Sequence, residues 1–182
     1  MHGKRKLIFV GGIHGVGKST LCLKLSTEIG TEYLSAGKLI RDYAQADSCH
    51  NQEMGKRVID IEKNQDALVA ALNKSISIEK QYLVDGHFTL FDSGGTIQVI
   101  PAIIFRDIMP LALIVMIDAP TAIQKRLSAR DGMAYDLKVL SSMQDKELWH
   151  ARRIGKELNL EVYEVSVDNY SYLKGIMTRI LT

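Results

Sequence analysis

Leu7-Ile8-Phe9-Val10-Gly11-Gly12-Ile13-His14-Gly15-Val16-Gly17-Lys18-Ser19 is the stretch on which the reading of this chain turns. Its first four residues form a short apolar run, as in a strand buried on both faces. From Gly12 onward it spells G-x-x-x-x-G-K-[ST]. The glycines of that pattern let a backbone wrap around a phosphate chain, because a Cβ would block close approach and the required φ angles. Successive N–H groups then face inward at a helix N-terminus and make an anion nest. In such a loop Lys18 reaches the β- and γ-phosphates, and the Ser19 hydroxyl ligates Mg²⁺. The helix-forming run Ser19-Thr20-Leu21-Cys22-Leu23-Lys24-Leu25 supplies the context that the pattern requires. The competing reading is a plain glycine-rich turn between strand and helix.

Working outward, apolar runs predict buried strands at 6–10, 32–35, 81–85, 112–118 and 161–166. Helical patterns lie between them. One spans 18–29 and stops at Gly30, and a short one spans 37–46. A long amphipathic one covers 52–77, with Val58, Ile61, Leu68, Ala71 and Leu72 at helical spacing. The polar stretch 47–54 reads as a break between helices. Further helices are predicted at 101–108, closed by Pro110, at 121–130 with Thr121 as its cap, at 137–158 and at 171–181. Alternating strands and helices predict an α/β fold: a P-loop three-layer sandwich, with a five-stranded parallel sheet and helices on both faces. Ligands of such sheets sit beyond the carboxyl ends of the strands. The residues to interrogate there are Gly11-Gly12, Ser35-Ala36-Gly37, Asp85-Gly86-His87, Asp118-Ala119 and Ser166-Val167-Asp168.

A chain of 182 residues predicts a single domain with enough length to bury a core. A formal net charge of +2 makes no electrostatic case for nucleic acid. Cys22 and Cys49 form no metal or disulfide pattern, which fits a reducing cytoplasm. No stretch approaches the ~20 apolar residues of a membrane span, and the first apolar run is too short for a signal peptide. Trp149 and the scattered methionines read as core or helix-face packing.

The segment Tyr33-Leu34-Ser35-Ala36-Gly37-Lys38-Leu39-Ile40-Arg41 resembles the S-T-G-D-x-x-R segment of adenylate kinases and their nucleoside monophosphate kinase relatives. The resemblance implies that Ser35 and Gly37 open an acceptor subregion of about residues 37–79, and that Arg41 binds the acceptor phosphate. Ala36 and Lys38 stand where Thr and Asp are usual. Asp85-Gly86 matches the start of the family's D-G-[FY]-P-R, whose Asp holds Mg²⁺ through water. The Pro-Arg is missing: Phe88-Thr89 follows His87 instead, more as in archaeal-type adenylate kinases. His87 is then a candidate acceptor contact or a structural histidine. Gln98, in a region that lies over the acceptor base in the family, is a candidate base contact. Arg126 and Arg130, four apart on one helix face, match an R-x-x-x-R that opens a lid. The lid here is brief, about residues 130–137, without zinc cysteines, and Arg152 and Arg153 sit on the returning helix. His14 occupies a variable loop position near the phosphates.

The resemblance implies an ATP-dependent phosphotransferase acting on a nucleoside monophosphate. Gly12, Ile13, His14, Gly15, Val16, Gly17, Lys18, Ser19, Thr20 and Arg126 would hold ATP. Ser35, Gly37, Arg41, His87, Gln98 and Arg152 would hold the acceptor, and Ser19 with Asp85 would hold Mg²⁺. Lys18, Arg41, Asp85, Arg126 and Arg130 would carry the transfer. Two alternatives stay open at this point. One is a P-loop kinase of a hydroxyl acceptor, which needs Asp85 or His87 as a general base. The other is a nucleotide-binding regulatory protein with weak kinase activity.

Overall fold

In the computed structural model, which describes residues 5–48, 61–92 and 95–182, five parallel strands form the central sheet. They are β1 (Lys6–Gly11), β2 (Glu32–Ser35), β3 (Gln81–Asp85), β6 (Ala112–Ile117) and β7 (Glu161–Ser166), in the order β2-β3-β1-β6-β7. The α/β sandwich predicted from the alternating pattern is the fold observed. Each strand of the middle three is buried on both sides, so its side chains divide between two cores. Ile8 and Val10 of β1 join Leu83 and Ile114 on one face, under α1 (Lys18–Ile29) and α7 (Tyr170–Leu181). Leu7 and Phe9 join Val84 and Val115 on the other. That second face is covered by α3 (Ile61–Ser75), α4 (Ala102–Ile108) and α6 (Leu137–Leu158). The remaining helices, α2 (Ala36–Ser48) and α5 (Pro120–Asp131), follow strand ends and flank the carboxyl edge of the sheet.

Two details differ from expectation. Thr121 does not cap α5: Ala119 takes the N-cap position without a side-chain hydrogen bond, and Pro120, whose fixed φ suits the first turn, begins the helix. The stretch after β3, where no strand is predicted, forms a hairpin, with β4 (Thr89–Phe91) antiparallel to β5 (Ile97–Val99). Its strands are only three residues each, too short for an alternation signal. The start of the predicted helix 52–77, with Val58, lies outside the described residues, as do Cys49 and most of the break at 47–54. Cys22 is buried and its thiol is pushed up to about 12 by burial, which leaves it unreactive.

Candidate active site

Between β1 and α1 the chain forms a cup whose shape depends on glycine. Gly12 has φ +143, and a Cβ there would stand 2.6 Å from the Met116 carbonyl oxygen. Gly15 has φ +78, and a Cβ there would stand 2.6 Å from Leu127. Ile13 and Val16 are each 1% exposed, so their side chains anchor the cup in the core. α1 begins at Gly17 with no side-chain cap, which leaves its first N–H groups facing the cup. Lys18 is buried, and its ammonium donates to the Gly12 carbonyl at 2.6 Å and the Ile13 carbonyl at 3.0 Å. Burial pulls its pKa down; the carboxylates of Glu147 and then Asp85 oppose that pull.

In the first turn of α1, the Ser19 hydroxyl donates to Asp85 Oδ2 at 2.5 Å. The Tyr33 hydroxyl, from β2, donates to the same oxygen at 3.0 Å. Asp85 ends β3 and is buried, so strand register alone brings it beside Ser19. A hydroxyl and a carboxylate suit Mg²⁺, which keeps most of its shell for water and phosphate oxygens. Among the described residues no group of three or more His, Cys, Asp or Glu side chains is placed to bind a metal by itself. The residues present therefore fit a metal carried in with a polyphosphate.

The cup opens into a cleft of about 500 Å³. One wall carries His14, Thr20, Arg126 and Arg130; the other carries Ser35, Gly37, Arg41 and His87. The arginines differ in their company. Arg126 donates through Nε to the Gly15 carbonyl at 2.7 Å and pairs with Asp118. Arg130 grips Asp131 with two bonds, at 2.6 and 2.8 Å, and Tyr135 also donates to that carboxylate. Those contacts bring Asp131 down to about 2. Arg41, exposed over Gly37 at the first turns of α2, has no hydrogen bond or ion pair among the described residues. The rings of His14 and His87 meet over the cup, with centroids 4.2 Å apart. Burial holds His87 well below the ordinary histidine value, with Lys18 and His14 adding to the effect.

Two expected contacts fall elsewhere. Gln98 lies on β5 opposite Leu90, exposed, and donates to Asp92 at 2.9 Å across the hairpin end. Arg152 projects from α6 toward β7, where it pairs with Glu164 at 2.8 Å. Arg152 is not among the residues that line the cleft. Two residues escaped the sequence reading. Tyr33 heads the segment that resembles S-T-G-D-x-x-R but matches none of its fixed positions, although its place opposite Leu83 in the parallel register sets it two residues from Asp85. Glu147 sits inside a charged helical segment and looks like a solvated residue, yet it is fully buried.

Residues 11–143 match the family described as AAA domain, a span that runs from the cup through the arginine helix into α6. The chain belongs to this P-loop family. Its relatives include a cytidylate kinase of Saccharolobus islandicus (strain L.S.2.15 / Lassen #1), 27% identical over 165 residues, covering 88% of this chain and 78% of the relative. Adenylate kinase isoenzyme 1 of Oryctolagus cuniculus is 29% identical over 133 residues, covering 70% of this chain and 65% of that protein. A solved gluconokinase from Sinorhizobium meliloti 1021 shares the fold, with a TM-score of 0.51 at 12% identity, over 97% of this chain and 91% of that one. This P-loop protein is therefore a phosphotransferase of nucleoside monophosphate kinase-like sequence. No helix among its described residues is long and apolar enough to cross a membrane.

Proposed function

We propose that this P-loop kinase moves the γ-phosphate of ATP to a nucleoside monophosphate. The reading rests on Arg41: a guanidinium with no acidic partner among the described residues lines the same cleft as a cup suited to polyphosphate. A planar fork of donors suits a terminal phosphate, whose oxygens accept two parallel bonds. Behind His87 the cleft continues into a chamber of about 100 Å³ that includes Ile40, Leu68, Leu90 and Ile104. Such apolar walls suit the faces of a nucleobase, while Arg41 takes the phosphate at the other end. We read the chain as one domain, with residues 37–79 embracing the acceptor and residues 130–137 serving as a short lid.

ATP lies along the cup, its β- and γ-phosphates on the N–H groups that begin α1. Ser19 and Asp85 would hold Mg²⁺, which would supply charge neutralisation to the bound polyphosphate. Lys18 and the lid arginines Arg126 and Arg130 neutralise the charge that spreads over the moving group. An acceptor phosphate is already an anion at neutral pH, so no general base is needed. Closure of the lid excludes water, which would otherwise take the phosphoryl group.

A panel of nucleoside monophosphates, with gluconate, shikimate and oligonucleotide ends beside them, tests this. The expected result is ADP formed only when a monophosphate is present, with one nucleoside diphosphate made per ADP. Transfer to a hydroxyl acceptor alone, or tight ATP binding without transfer to anything, would replace the reading.

A further inference from the structure

After Asp85 the chain leaves the main sheet and turns before β4. The inner side of turn 86–89 is pinned to β1: the Gly86 N–H donates to the Val10 carbonyl at 3.0 Å, and the Phe88 ring packs over Gly11. Its outer N–H groups donate to a side chain. Phe88 N lies 3.1 and 3.0 Å from the two oxygens of Glu147, and Thr89 N lies 2.9 Å from Oε1. The Thr89 hydroxyl donates to the same Oε1 at 3.0 Å. A carboxylate can accept from three donors at once, which a hydroxyl or a single amide oxygen does less well. Glu147 belongs to α6, the helix that follows the lid. Three residues further on the same helix, His150 Nε2 is 2.6 Å from the Ile100 carbonyl, and the Ile100 N–H closes back on the Phe88 carbonyl at 2.9 Å. One face of α6 thus grips both strands at the base of the hairpin.

Burying a carboxylate completely is costly, and packing alone would be met by an apolar side chain. What Glu147 faces is informative. Its Oε1 is 3.8 Å from His87 Nδ1, a buried nitrogen with no hydrogen-bond partner among the described residues. Glu147 is also the foremost negative charge acting on the buried Lys18. The three groups form a cluster beneath the cup.

We propose that Glu147 is a positioning residue for phosphotransfer: from the helix after the lid it fixes turn 86–89, and through that turn it holds the His87 ring against the phosphate cup. The proposal rests on the function proposed above for the rate it invokes. Lid and His87 then belong to one mechanical unit, because α6 touches both.

The test is a cycle of Glu147→Gln, His87→Ala and the double variant, with melting curves as a check on folding. Glu147→Gln keeps the shape and one acceptor oxygen, so it folds where Glu147→Ala leaves buried N–H groups bare. We expect kcat to fall about tenfold or more in Glu147→Gln, with Mg·ATP affinity within about threefold, and little further loss when it is added to His87→Ala. A folded Glu147→Gln enzyme with kcat within about twofold of wild type, or an equal loss in both backgrounds, would overturn the proposal. Nitrogen-15 NMR of the histidine rings gives a readout that needs no turnover. Glu147→Gln must shift the His87 ring nitrogens; unmoved signals would overturn the proposal by themselves. If the wild-type chain transfers phosphate to no monophosphate, the functional reading fails and the ring spectra still decide the role of Glu147.

Discussion

On the wall of the cleft that the proposed function gives to ATP, the donor wall, the cations already have protein partners. Lys18 is held by two carbonyls, Arg126 by Gly15 and Asp118, and Arg130 by Asp131. On the opposite wall, which the proposal gives to the acceptor, Arg41 has no such partner among the described residues, and the chamber that adjoins this wall at Gly37 and His87 is apolar. To act on a polyphosphate, Lys18, Arg126 and Arg130 exchange or share these contacts, whereas Arg41 has none to give up among the described residues. The acceptor wall supplies one uncompensated charge and leaves the rest of the recognition to shape. Changes on the donor wall should appear in the rate and in the affinity for Mg·ATP, and changes on the acceptor wall in the affinity for the monophosphate.

The largest expected effect comes from Lys18→Ala. Removing a preorganised donor from the transition state costs roughly 3–4 kcal/mol, or about 10²–10³ in kcat, while circular dichroism shows an intact fold. Near-full activity in that variant would take the central role away from the cup. Arg41→Ala should cost about 1.5–3 kcal/mol of charged hydrogen bonding, read as a roughly 10- to 150-fold rise in KM for the acceptor with KM for ATP little changed. If both KM values rose together, the walls would not be separate.

A smaller effect concerns stability against pH. Burial holds His14, His87 and His150 below the ordinary value of 6.5 in the folded chain. The unfolded chain binds protons at these sites first, so stability is full above 6.5 and declines as pH falls through and below it. Glu147 works the other way. Burial raises it above 4.5, so its contribution is present below 4.5 and is lost as pH rises through its folded value. Three imidazoles outweigh one carboxyl just below 6.5, so the melting temperature should drop between pH 7 and pH 6. A flat or rising profile would show the histidines to be more open than the fold makes them. Least of all, Arg152→Ala should change kcat/KM by less than about twofold, since its side chain pairs with Glu164 and does not line the cleft.

The donor wall was legible because one continuous stretch encodes it: strand, cup and helix follow each other without a break, and glycine is the residue that such a cup permits. Asp85 was legible for a related reason, since parallel register carries the end of β3 to the end of β1. The acceptor wall was read in part. Arg41 sits where its spacing from Ser35 suggests, the sixth residue of a helix that begins at the strand end. Gln98 was misplaced because a hairpin of two three-residue strands gives no periodic signal, and pairing turned that side chain toward Asp92. Arg152 was misplaced because a neighbour on a helix can face a different layer, here Glu164 of β7. Glu147 was invisible for the opposite reason. Its partners are main-chain N–H groups nearly sixty residues away in sequence, about which side-chain spacing says nothing.

The most direct test of the division between walls is calorimetric titration of Mg·ATP and of a nucleoside monophosphate, separately, into wild type, Lys18→Ala and Arg41→Ala. The account predicts that Lys18→Ala weakens Mg·ATP alone and Arg41→Ala weakens the monophosphate alone, each by about tenfold or more. Equal weakening of both ligands by either substitution, or no loss of the monophosphate in Arg41→Ala, would contradict it.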